Sequence, residues 1–260
     1  MFNFFRQKQE PQQQKSKQVP QEDFSDIESF IKEFKNETGI DFSNKKDIVK
    51  NKLIIFCKKR DICSFIDLLQ KTQKDFSLKQ ELIDYLTVNE TYFFRETPQI
   101  EEMVEKAKKL GYKIEILCAP SSSGDEPYSI AIMLLEAGFS PKDFHIVGID
   151  ISESIITKAK NAIYNERSLY RVNQKIRDKY FLKRGDRYLL TEVVKEKVTF
   201  RRVNIFDETL ANLRKFDFIF SRNMMIYFDQ ETKIKAKNIL QKLLKRPQEQ
   251  IYFGHADMIS

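Results

Sequence analysis

The polar residues best suited to chemistry follow short apolar stretches of this chain. A loop of small and acidic residues, 120–129 (PSSSGDEPYS), comes after the apolar stretch 114–119, and Asp150 ends the next apolar stretch, 26 residues beyond Gly124. Small residues let the backbone approach a ligand, and an acid in this place can accept both hydroxyls of a ribose. The alternative role for Asp150 is to cap the helix that begins near Ser152. Taken alone, the residue leaves both roles open.

Further polar groups stand after two more apolar stretches and before the first one. Asn204, whose amide could read an adenine edge, follows residues 198–203; the sequence SRNMMIY follows residues 216–220; and residues 89–96 read NETYFFRE. No glycines have the spacing of a G-x-G-x-x-G or Walker A loop, which excludes the usual NAD(P) enzymes and P-loop NTPases. An acid at the ribose position without a diphosphate loop favours a nucleoside without a pyrophosphate. S-adenosylmethionine is the commonest such cofactor on an open α/β sheet.

The first part of the chain has the pattern of a helical domain. Residues 1–21 are rich in Gln and Lys and poor in apolar residues, which predicts a disordered tail. Apolar residues then recur at helical spacing from Phe24 and stop at Gly39, a residue typical of helix C-termini. A second helix should follow Ser43 or Asn44, with Ile48 among its inward residues; a third should cover 62–69; and a fourth should open with the capping box Ser77-x-x-Gln80. Residues 22–86 are therefore predicted to form a small all-helical domain.

From residue 87 onward, strands alternate with helices. A helix is predicted from Thr97 to Gly111, with Thr97 as its cap, and strands at 114–119, 145–149, 198–203, 216–220 and 251–254. Helices are predicted between the strands at 127–137, 153–163 and 232–244. This alternation indicates a doubly wound, mostly parallel sheet over residues 87–260. Residues 180–197 fit the alternation badly and suggest a small antiparallel insertion.

Composition narrows the class of protein and of partner. The formal net charge is +7, from 45 basic and 38 acidic residues, so a polyanionic partner has to be considered. No apolar run has the roughly 20 residues that a spanning helix needs, and the N-terminus lacks the apolar stretch of a signal peptide. The three cysteines, Cys57, Cys63 and Cys118, form no C-x-x-C pair, which favours reduced thiols and no metal site. We therefore expect a cytoplasmic protein that does not insert into a membrane.

Five blocks of sequence, in this order, resemble the chemotaxis receptor methyltransferases, the CheR family. They are NETYFFRE (89–96), SSGDEPYSIA (122–131), GIDIS (148–152), SRNMMIYFD (221–229) and FGHAD (253–257). The helical domain with its basic second helix also suits that family. The resemblance implies a Rossmann-like S-adenosylmethionine-dependent methyltransferase domain behind a small receptor-facing domain.

The resemblance also implies roles for particular residues. Those that match the positions beside the transferring methyl group are Arg95 and Tyr227. Pro120 stands where the family has a glycine, and it removes an N–H near the methionine end of the cofactor. The positions that match the S-adenosylmethionine pocket of the family are Asn89, Thr91, Arg95, Glu126, Asp150, Asn204, Ile205, Arg222 and Asn223.

The reaction implied is methyl transfer from S-adenosylmethionine to glutamate carboxylates of methyl-accepting chemotaxis receptors. A carboxylate with a pKa near ~4.3 is already ionised at neutral pH and needs no general base. Arg95 would guide this carboxylate and the Tyr227 hydroxyl would orient it. The alternative for Arg95 is a structural salt bridge with Glu96 or Glu90, and the alternative for Tyr227 is a core aromatic.

A run of basic residues in the second helix is a candidate receptor-docking face. Its members would attract the acidic cytoplasmic helices of receptors, although a charge run is usually a solvated helix face. The docking residues are Lys46, Lys50, Lys52, Lys58, Lys59 and Arg60.

Two other functions are compatible with parts of this sequence. One is a nucleic-acid methyltransferase, which is disfavoured because residues 222–225 lack the Pro-Pro-aromatic motif of such enzymes. The other is a non-catalytic S-adenosylmethionine-binding receptor adaptor.

Overall fold

The structure is a computed structural model that describes residues 22–87 and 90–258. The tail predicted for residues 1–21 lies outside the described residues. No helix in the described part of the chain is both long enough and apolar enough to cross a membrane.

Four helices build the N-terminal domain. Helix α1 begins after Asp26, whose side chain accepts a hydrogen bond from the Ser29 N–H, and ends before Gly39 in the left-handed conformation (φ +82°). Phenylalanine rings dominate the shared core, with Phe30, Phe56 and Phe65 fully buried. The helices are α1 (Ile27–Thr38), α2 (Lys46–Lys58), α3 (Phe65–Lys74) and α4 (Phe76–Leu86).

Two predictions for this domain are wrong. Ile48 is 63% exposed, because it lies on the face of α2 opposite to the buried Val49 and Leu53. The capping box at Ser77 does not form, since Asp75 is the N-cap of α4 and accepts the Leu78 N–H at 3.1 Å. Helix α3 also begins later than predicted, after its cap Ser64.

A parallel sheet of five strands lies at the centre of the described residues 90–258. The strand order is β6-β2-β1-β7-β8, with every neighbouring pair parallel, which confirms the doubly wound sheet. The three inner strands of the order are buried nearly along their whole length and read as mostly apolar runs, whereas the edge strand at residues 198–202 exposes Thr199, Arg201 and Arg202. The elements are α5 (Thr97–Ala107), β1 (Ile114–Cys118), α6 (Asp125–Glu136), β2 (Phe144–Asp150), α7 (Glu153–Asn161), β6 (Val198–Arg202), β7 (Phe218–Ser221), α10 (Gln230–Leu243), β8 (Ile251–Phe253) and α11 (His255–Met258).

A second, antiparallel sheet lies between α7 and β6. It includes residues inside 180–197, but it also takes in Ile163, which the sequence placed at the end of a helix; α7 ends at Asn161 instead. Both ends of α5 also differ from the prediction. Glu96 occupies the N-cap with Thr97 as the first helical residue, and the helix ends at Ala107 instead of at Gly111. The elements of this region are β3 (Ile163–Tyr164), α8 (Gln174–Tyr180), β4 (Phe181–Arg184), β5 (Arg187–Leu190) and α9 (Glu192–Lys195), and the strand order is β3-β5-β4.

The helical domain packs against the carboxyl edge of the parallel sheet. The Gln80 side chain accepts the Glu153 N–H at 3.2 Å, and the Asp41 N–H donates to the Tyr227 carbonyl at 2.7 Å. A side chain at Gly39 would overlap the Phe206 ring, so this contact requires glycine. The two domains therefore form the walls of one cleft.

Candidate functional site

The cleft lies at the carboxyl ends of β1, β2, β6 and β7, where ligands of open α/β sheets bind. It encloses about 990 Å³ counted out to its mouth. Asn89 lies outside the described residues. All the other residues predicted for the cofactor pocket or for catalysis line the cleft: Thr91, Arg95, Glu126, Asp150, Asn204, Ile205, Arg222, Asn223 and Tyr227.

Asp150 ends β2 and points its carboxylate at the loop after β1. One oxygen accepts the Ser122 N–H at 3.0 Å and the other accepts the Ser152 N–H at 3.1 Å. Burial raises the pKa of Asp150 to about 6. The capping role belongs to Ser152 itself, whose hydroxyl accepts the Ile155 N–H at 3.1 Å. Asp150 therefore remains available as an acceptor for a ligand.

A buried ion pair links the first turn of α6 to the segment after β7. Glu126 and Arg222 form this pair, and the Arg222 Nη1 donates to the Arg95 carbonyl at 2.7 Å. Burial raises the pKa of Glu126, although the Arg222 charge opposes the shift. The second carboxylate oxygen of Glu126 is buried without a hydrogen-bond partner among the described residues. The pair thus fixes the backbone at Arg95 and leaves one acceptor for a ligand.

Arg95 is held in place by its neighbours. Phe94 and Glu96, on either side of it, both have positive φ, at +59° and +51°, a conformation that non-glycine residues adopt at a cost. The Phe94 N–H donates to the Ser129 hydroxyl at 2.9 Å, which ties this turn to α6. A backbone constrained in this way presents the Arg95 guanidinium to the cleft.

The structural salt bridge considered for Arg95 does not form. Glu90 pairs with Arg167, and no ion pair joins Glu96 to Arg95 among the described residues; the nearest ring nitrogen of His255 lies 3.3 Å from the Glu96 carboxylate. The Arg95 Nη1 instead makes a long hydrogen bond of 3.3 Å to the Glu90 carbonyl. Its charge is therefore not matched by a carboxylate among the described residues.

Tyr227 lies in a short 3₁₀ turn, Met225–Tyr227, and lines the same cleft as Arg95. The Asp257 carboxylate fixes this turn by accepting N–H groups of Asn223 and Met225. The Tyr227 ring packs against the core of the helical domain and the core of the sheet. Tyr227 is therefore both a core aromatic residue and a residue that lines the cleft. No role was predicted for Asp257 from the sequence, although it supports this turn. Its position in the FGHAD block is the feature of the sequence that could have identified it.

Asn204 differs from its predicted use. Its Nδ2 donates to the carbonyls of Glu37 and Thr38 at 3.4 and 3.3 Å, and its Oδ1 accepts the Phe206 N–H at 3.1 Å. The amide that was expected to read adenine thus joins the sheet to the end of α1. Sequence reasoning also missed the cleft residues that the helical domain supplies, Thr38, Ile40 and Thr87.

The predicted docking residues do not form one uniform face. Three of them are paired within the chain: Lys46 with Glu28, Lys58 with Glu22 at 3.1 Å, and Arg60 with Glu81. Lys50, Lys52 and Lys59 have no carboxylate partner among the described residues. Surface pairs of this kind contribute about 0–1 kcal/mol each, so pairing weakens the attraction of these three residues for another carboxylate without abolishing it.

Two family models cover most of the chain. Residues 25–87 match the model described as CheR methyltransferase, all-alpha domain, and residues 89–260 match CheR methyltransferase, SAM binding domain. The chain belongs to the CheR methyltransferase family. The resemblance of the five sequence blocks is thereby confirmed, and the chain is an S-adenosylmethionine-dependent methyltransferase with the family's cofactor-binding domain.

Curated relatives named chemotaxis protein methyltransferase match this chain over 77–88% of their own length. The chain is 39% identical over 235 residues to a chemotaxis protein methyltransferase of Campylobacter jejuni (strain 81-176), covering 90% of this chain and 88% of that protein. It is 33% identical over 254 residues to one of Borreliella burgdorferi, with the same coverage. A third, from Salmonella typhimurium, is 31% identical over 227 residues, covering 84% of this chain and 77% of that protein.

The CheR cleft has the chemistry that S-adenosylmethionine requires. The buried Asp150 carboxylate suits a ribose diol, and the unpartnered Glu126 oxygen suits an ammonium group. The Ser121 hydroxyl is also buried with no hydrogen-bond partner among the described residues, beside Pro120, which lacks an N–H. These groups fit the cofactor.

Proposed function

We propose that this chain methylates glutamate carboxylates of methyl-accepting chemotaxis receptors, giving glutamyl methyl esters in the cytoplasm. The observation that carries the proposal is that Arg95, without a carboxylate partner among the described residues, faces the same cleft as Tyr227 and Asp150. A guanidinium in this state suits a carboxylate acceptor, because charge-assisted N–H···O bonds are about twice as strong as neutral ones. The relatives named chemotaxis protein methyltransferase support receptors as the source of that carboxylate.

The cofactor would be held from three sides of the cleft. Asp150 would accept the ribose hydroxyls and Glu126 the ammonium group, while Thr91, Asn204, Ile205, Arg222 and Asn223 complete the proposed pocket. Bound S-adenosylmethionine supplies an electrophilic methyl group on a sulfonium sulfur. The Arg222 charge is already neutralised by Glu126, so Arg222 acts on the pocket by fixing the backbone at Arg95.

The residues of the chain align the acceptor and exclude water. Arg95 would orient the incoming carboxylate by its charge, and the Tyr227 hydroxyl, in the same cleft, would contact it. Holding reactants in line removes a large part of the entropic barrier, and a cleft closed by the helical domain strips solvent from the carboxylate. No group of the chain needs to remove a proton, because the acceptor is ionised at neutral pH.

Docking of the acidic receptor helices is proposed for the basic residues of α2. Lys50, Lys52 and Lys59 are the strongest candidates, since Lys46, Lys58 and Arg60 would first have to exchange an internal carboxylate for one on the receptor. Complementary charge of this kind raises the rate of encounter more than it raises affinity.

Transfer of tritiated methyl from S-adenosylmethionine to chemoreceptor cytoplasmic domains tests the proposal. We expect base-labile label on the receptor, a loss of about 100-fold in kcat/KM for Arg95→Ala, and loss of cofactor binding for Asp150→Ala. Glu105→Gln, which removes an exposed carboxylate on α5, is the control and should leave transfer unchanged. Cofactor binding without receptor label would instead favour the adaptor, and label on nucleic acid would favour the other enzyme class.

A further inference from the structure

Two arginines and two tyrosines stack in a row that starts in the cleft and runs out to the surface. The Arg95 guanidinium carbon lies 5.7 Å from the centre of the Tyr92 ring, and that of Arg171 lies 5.3 Å from the same ring. Arg171 is also 5.5 Å from the Tyr170 ring, and the two tyrosine rings are 4.9 Å apart. We call these four residues the arginine–tyrosine row.

The row is held by buried neighbours on both of its segments. The Phe93 N–H donates to the Ser168 carbonyl at 3.0 Å, which joins the segment around Arg95 to the loop after β3. The fully buried Phe93 ring makes edge contacts with Tyr164 and Phe181, at 4.8 and 5.1 Å between ring centres. The loop that carries Tyr170 and Arg171 is therefore fixed relative to the cleft.

The second guanidinium of the row has no internal acid. The carboxylates on either side of it are already used, Glu90 by Arg167 and Glu166 by Arg177 at 2.6 Å. The hydrogen bond from the Arg171 Nε to the Tyr170 hydroxyl, at 3.0 Å, orients the group without neutralising it. Arg171 is thus an exposed cation, stiffened by two rings, with no carboxylate partner among the described residues.

We infer that Arg171 binds a second carboxylate of the acceptor while Arg95 holds the glutamate that is methylated. This inference rests on the proposed function. Both guanidinium carbons contact the one Tyr92 ring, so their separation cannot exceed the two ring distances combined. On a helix, residues three or four apart have Cβ atoms about 5–6 Å apart, and seven residues span about 10 Å. An acidic helix can therefore present one carboxylate to each arginine.

The inference makes the row a specificity element. A glutamate with a second acid one or two helical turns away would bind with both carboxylates satisfied. A lone glutamate would leave Arg171 unpaired and would gain nothing from it. The planar guanidinium packed against two rings also explains why arginine suits this place better than lysine, whose ammonium does not stack on aromatic rings in the same way.

The test compares two acceptors with one methylation site each. One is a receptor cytoplasmic fragment with a single acceptor glutamate, and the other is the same fragment with every acid within seven residues of that glutamate changed to Gln. The enzymes are the full chain as wild type, Arg171→Gln, Arg171→Lys and Lys142→Gln. Lys142→Gln is the control, because it removes an exposed charge just before β2 begins. The readouts are KM, kcat and the Kd for S-adenosylhomocysteine.

We expect Arg171→Gln to raise KM about fivefold on the acidic fragment, with kcat and the cofactor Kd unchanged, as loss of one exposed charge pair would do. On the neutralised fragment its KM should equal that of the wild type. Arg171→Lys should fall between the two, and Lys142→Gln should match the wild type on both fragments.

The outcomes separate this inference from the proposed function. If the wild type labels neither fragment, the proposed function is wrong, and so is the inference that rests on it. If the wild type labels both fragments and Arg171→Gln has the wild-type KM on each, the function stands and the inference is overturned. An equal rise for Lys142→Gln, or a loss of cofactor binding in Arg171→Gln, would also overturn it, since the effect would then be general charge or damage to the fold.

Discussion

Asp125 and Asp150 are two buried carboxyl groups that start from the same chemistry and end with different roles. Burial raises the pKa of each to about 6. Asp125 is turned inward, where it accepts the Ser123 hydroxyl at 2.6 Å, and it does not line the cleft. Asp150 lines the cleft with two backbone N–H groups on its oxygens. Position, and not acidity, therefore makes Asp150 the candidate ligand for the ribose.

The pKa of Asp150 predicts that cofactor affinity depends on pH. A group with a pKa of about 6 is mostly carboxylate at pH 7 and mostly protonated at pH 5. Because two ribose hydroxyls need an ionised acceptor, the affinity for S-adenosylhomocysteine should fall about tenfold from pH 7 to pH 5. Calorimetric titration across this range measures the effect, and Asp150→Asn should bind weakly at both pH values.

Asp125→Asn is the matched control for this titration, because it removes an equally buried carboxyl of the same pKa outside the cleft. It should keep the pH dependence of the wild type.

Stability and cofactor affinity change in opposite directions with pH. Because the pKa of Asp150 is higher in the folded protein than in the unfolded chain, ionisation of this carboxyl lowers the free energy of unfolding as the pH rises from about 4 through 6. Unfolding of Asp150→Asn at pH 7 would therefore contradict this account.

The Glu126–Arg222 pair predicts a non-additive effect on stability. Arg222→Met leaves the Glu126 carboxylate buried without its partner, which should lower the free energy of unfolding by about 3–5 kcal/mol. The double variant Glu126→Gln with Arg222→Met should lose less than the single variant, because no charge is then left unpaired. Urea unfolding of the wild type, Arg222→Met, Glu126→Gln and the double variant measures the difference. Additive losses would mean that the two side chains are not coupled.

At the scale of the elements, the turn that carries Tyr227 depends on an ion cluster between the domains. Lys35 on α1 pairs with Asp229, the N-cap of α10, and with Asp41 at 3.3 Å. The hydrogen bond to Lys35 lowers the pKa of Asp229 to about 2, so this carboxylate is ionised at neutral pH. Since the Asp41 N–H donates to the Tyr227 carbonyl, the cluster positions this turn against the helical domain.

Asp229→Asn separates the ion pair from the helix cap, because asparagine still accepts the Thr232 N–H that Asp229 accepts at 2.9 Å. We expect kcat to fall several-fold, since Tyr227 is less well positioned, while the free energy of unfolding changes by less than about 1 kcal/mol. Lys71→Gln, which breaks an exposed pair inside α3, is the control and should leave kcat unchanged. A loss of stability with kcat intact would assign the cluster a purely structural role.

The elements that the sequence predicted well are those whose pattern is local. The strands β1, β2 and β7 are buried apolar runs, and Gly39 ends α1 by its left-handed backbone. The wrong predictions arose where a nearby residue could serve the same purpose. Asp75 caps α4 in place of Ser77, and Ile48 belongs to an apolar stripe on the exposed face of α2. Periodicity identifies a helix but does not say which of two apolar stripes is buried.

At the scale of the whole molecule, residues of both domains line the site. No pattern in the sequence predicts this shared arrangement. The contact of Asn204 with the end of α1 and the entry of Thr38 and Ile40 into the cleft follow from how the domains dock. Docking depends on shape, as at Gly39 and Phe206, and on backbone hydrogen bonds that any residue can make. The motif blocks predicted the sheet side of the cleft, and the helical side needed the structure.

Net charge predicts how the reaction responds to salt. With a formal charge of +7 and an acidic acceptor, encounter should slow as salt rises, because the Debye length shrinks from about 10 Å at 0.1 M to about 3 Å at 1 M. We expect kcat/KM for receptor domains to fall steadily over this range, while kcat and the Kd for S-adenosylhomocysteine change little. A kcat/KM that does not depend on salt would exclude charge as the source of docking.

Two triple variants then decide whether the whole charge or the α2 face is responsible. Each replaces three lysines by glutamine and lowers the net charge equally, but only the first set lacks carboxylate partners among the described residues. If docking is local to α2, the first triple should flatten the salt dependence and the second should leave it close to wild type. Equal flattening would assign docking to the overall charge and remove the special role of α2. The first triple is Lys50, Lys52 and Lys59; the second is Lys106, Lys108 and Lys195, each paired with a glutamate of its own helix or turn.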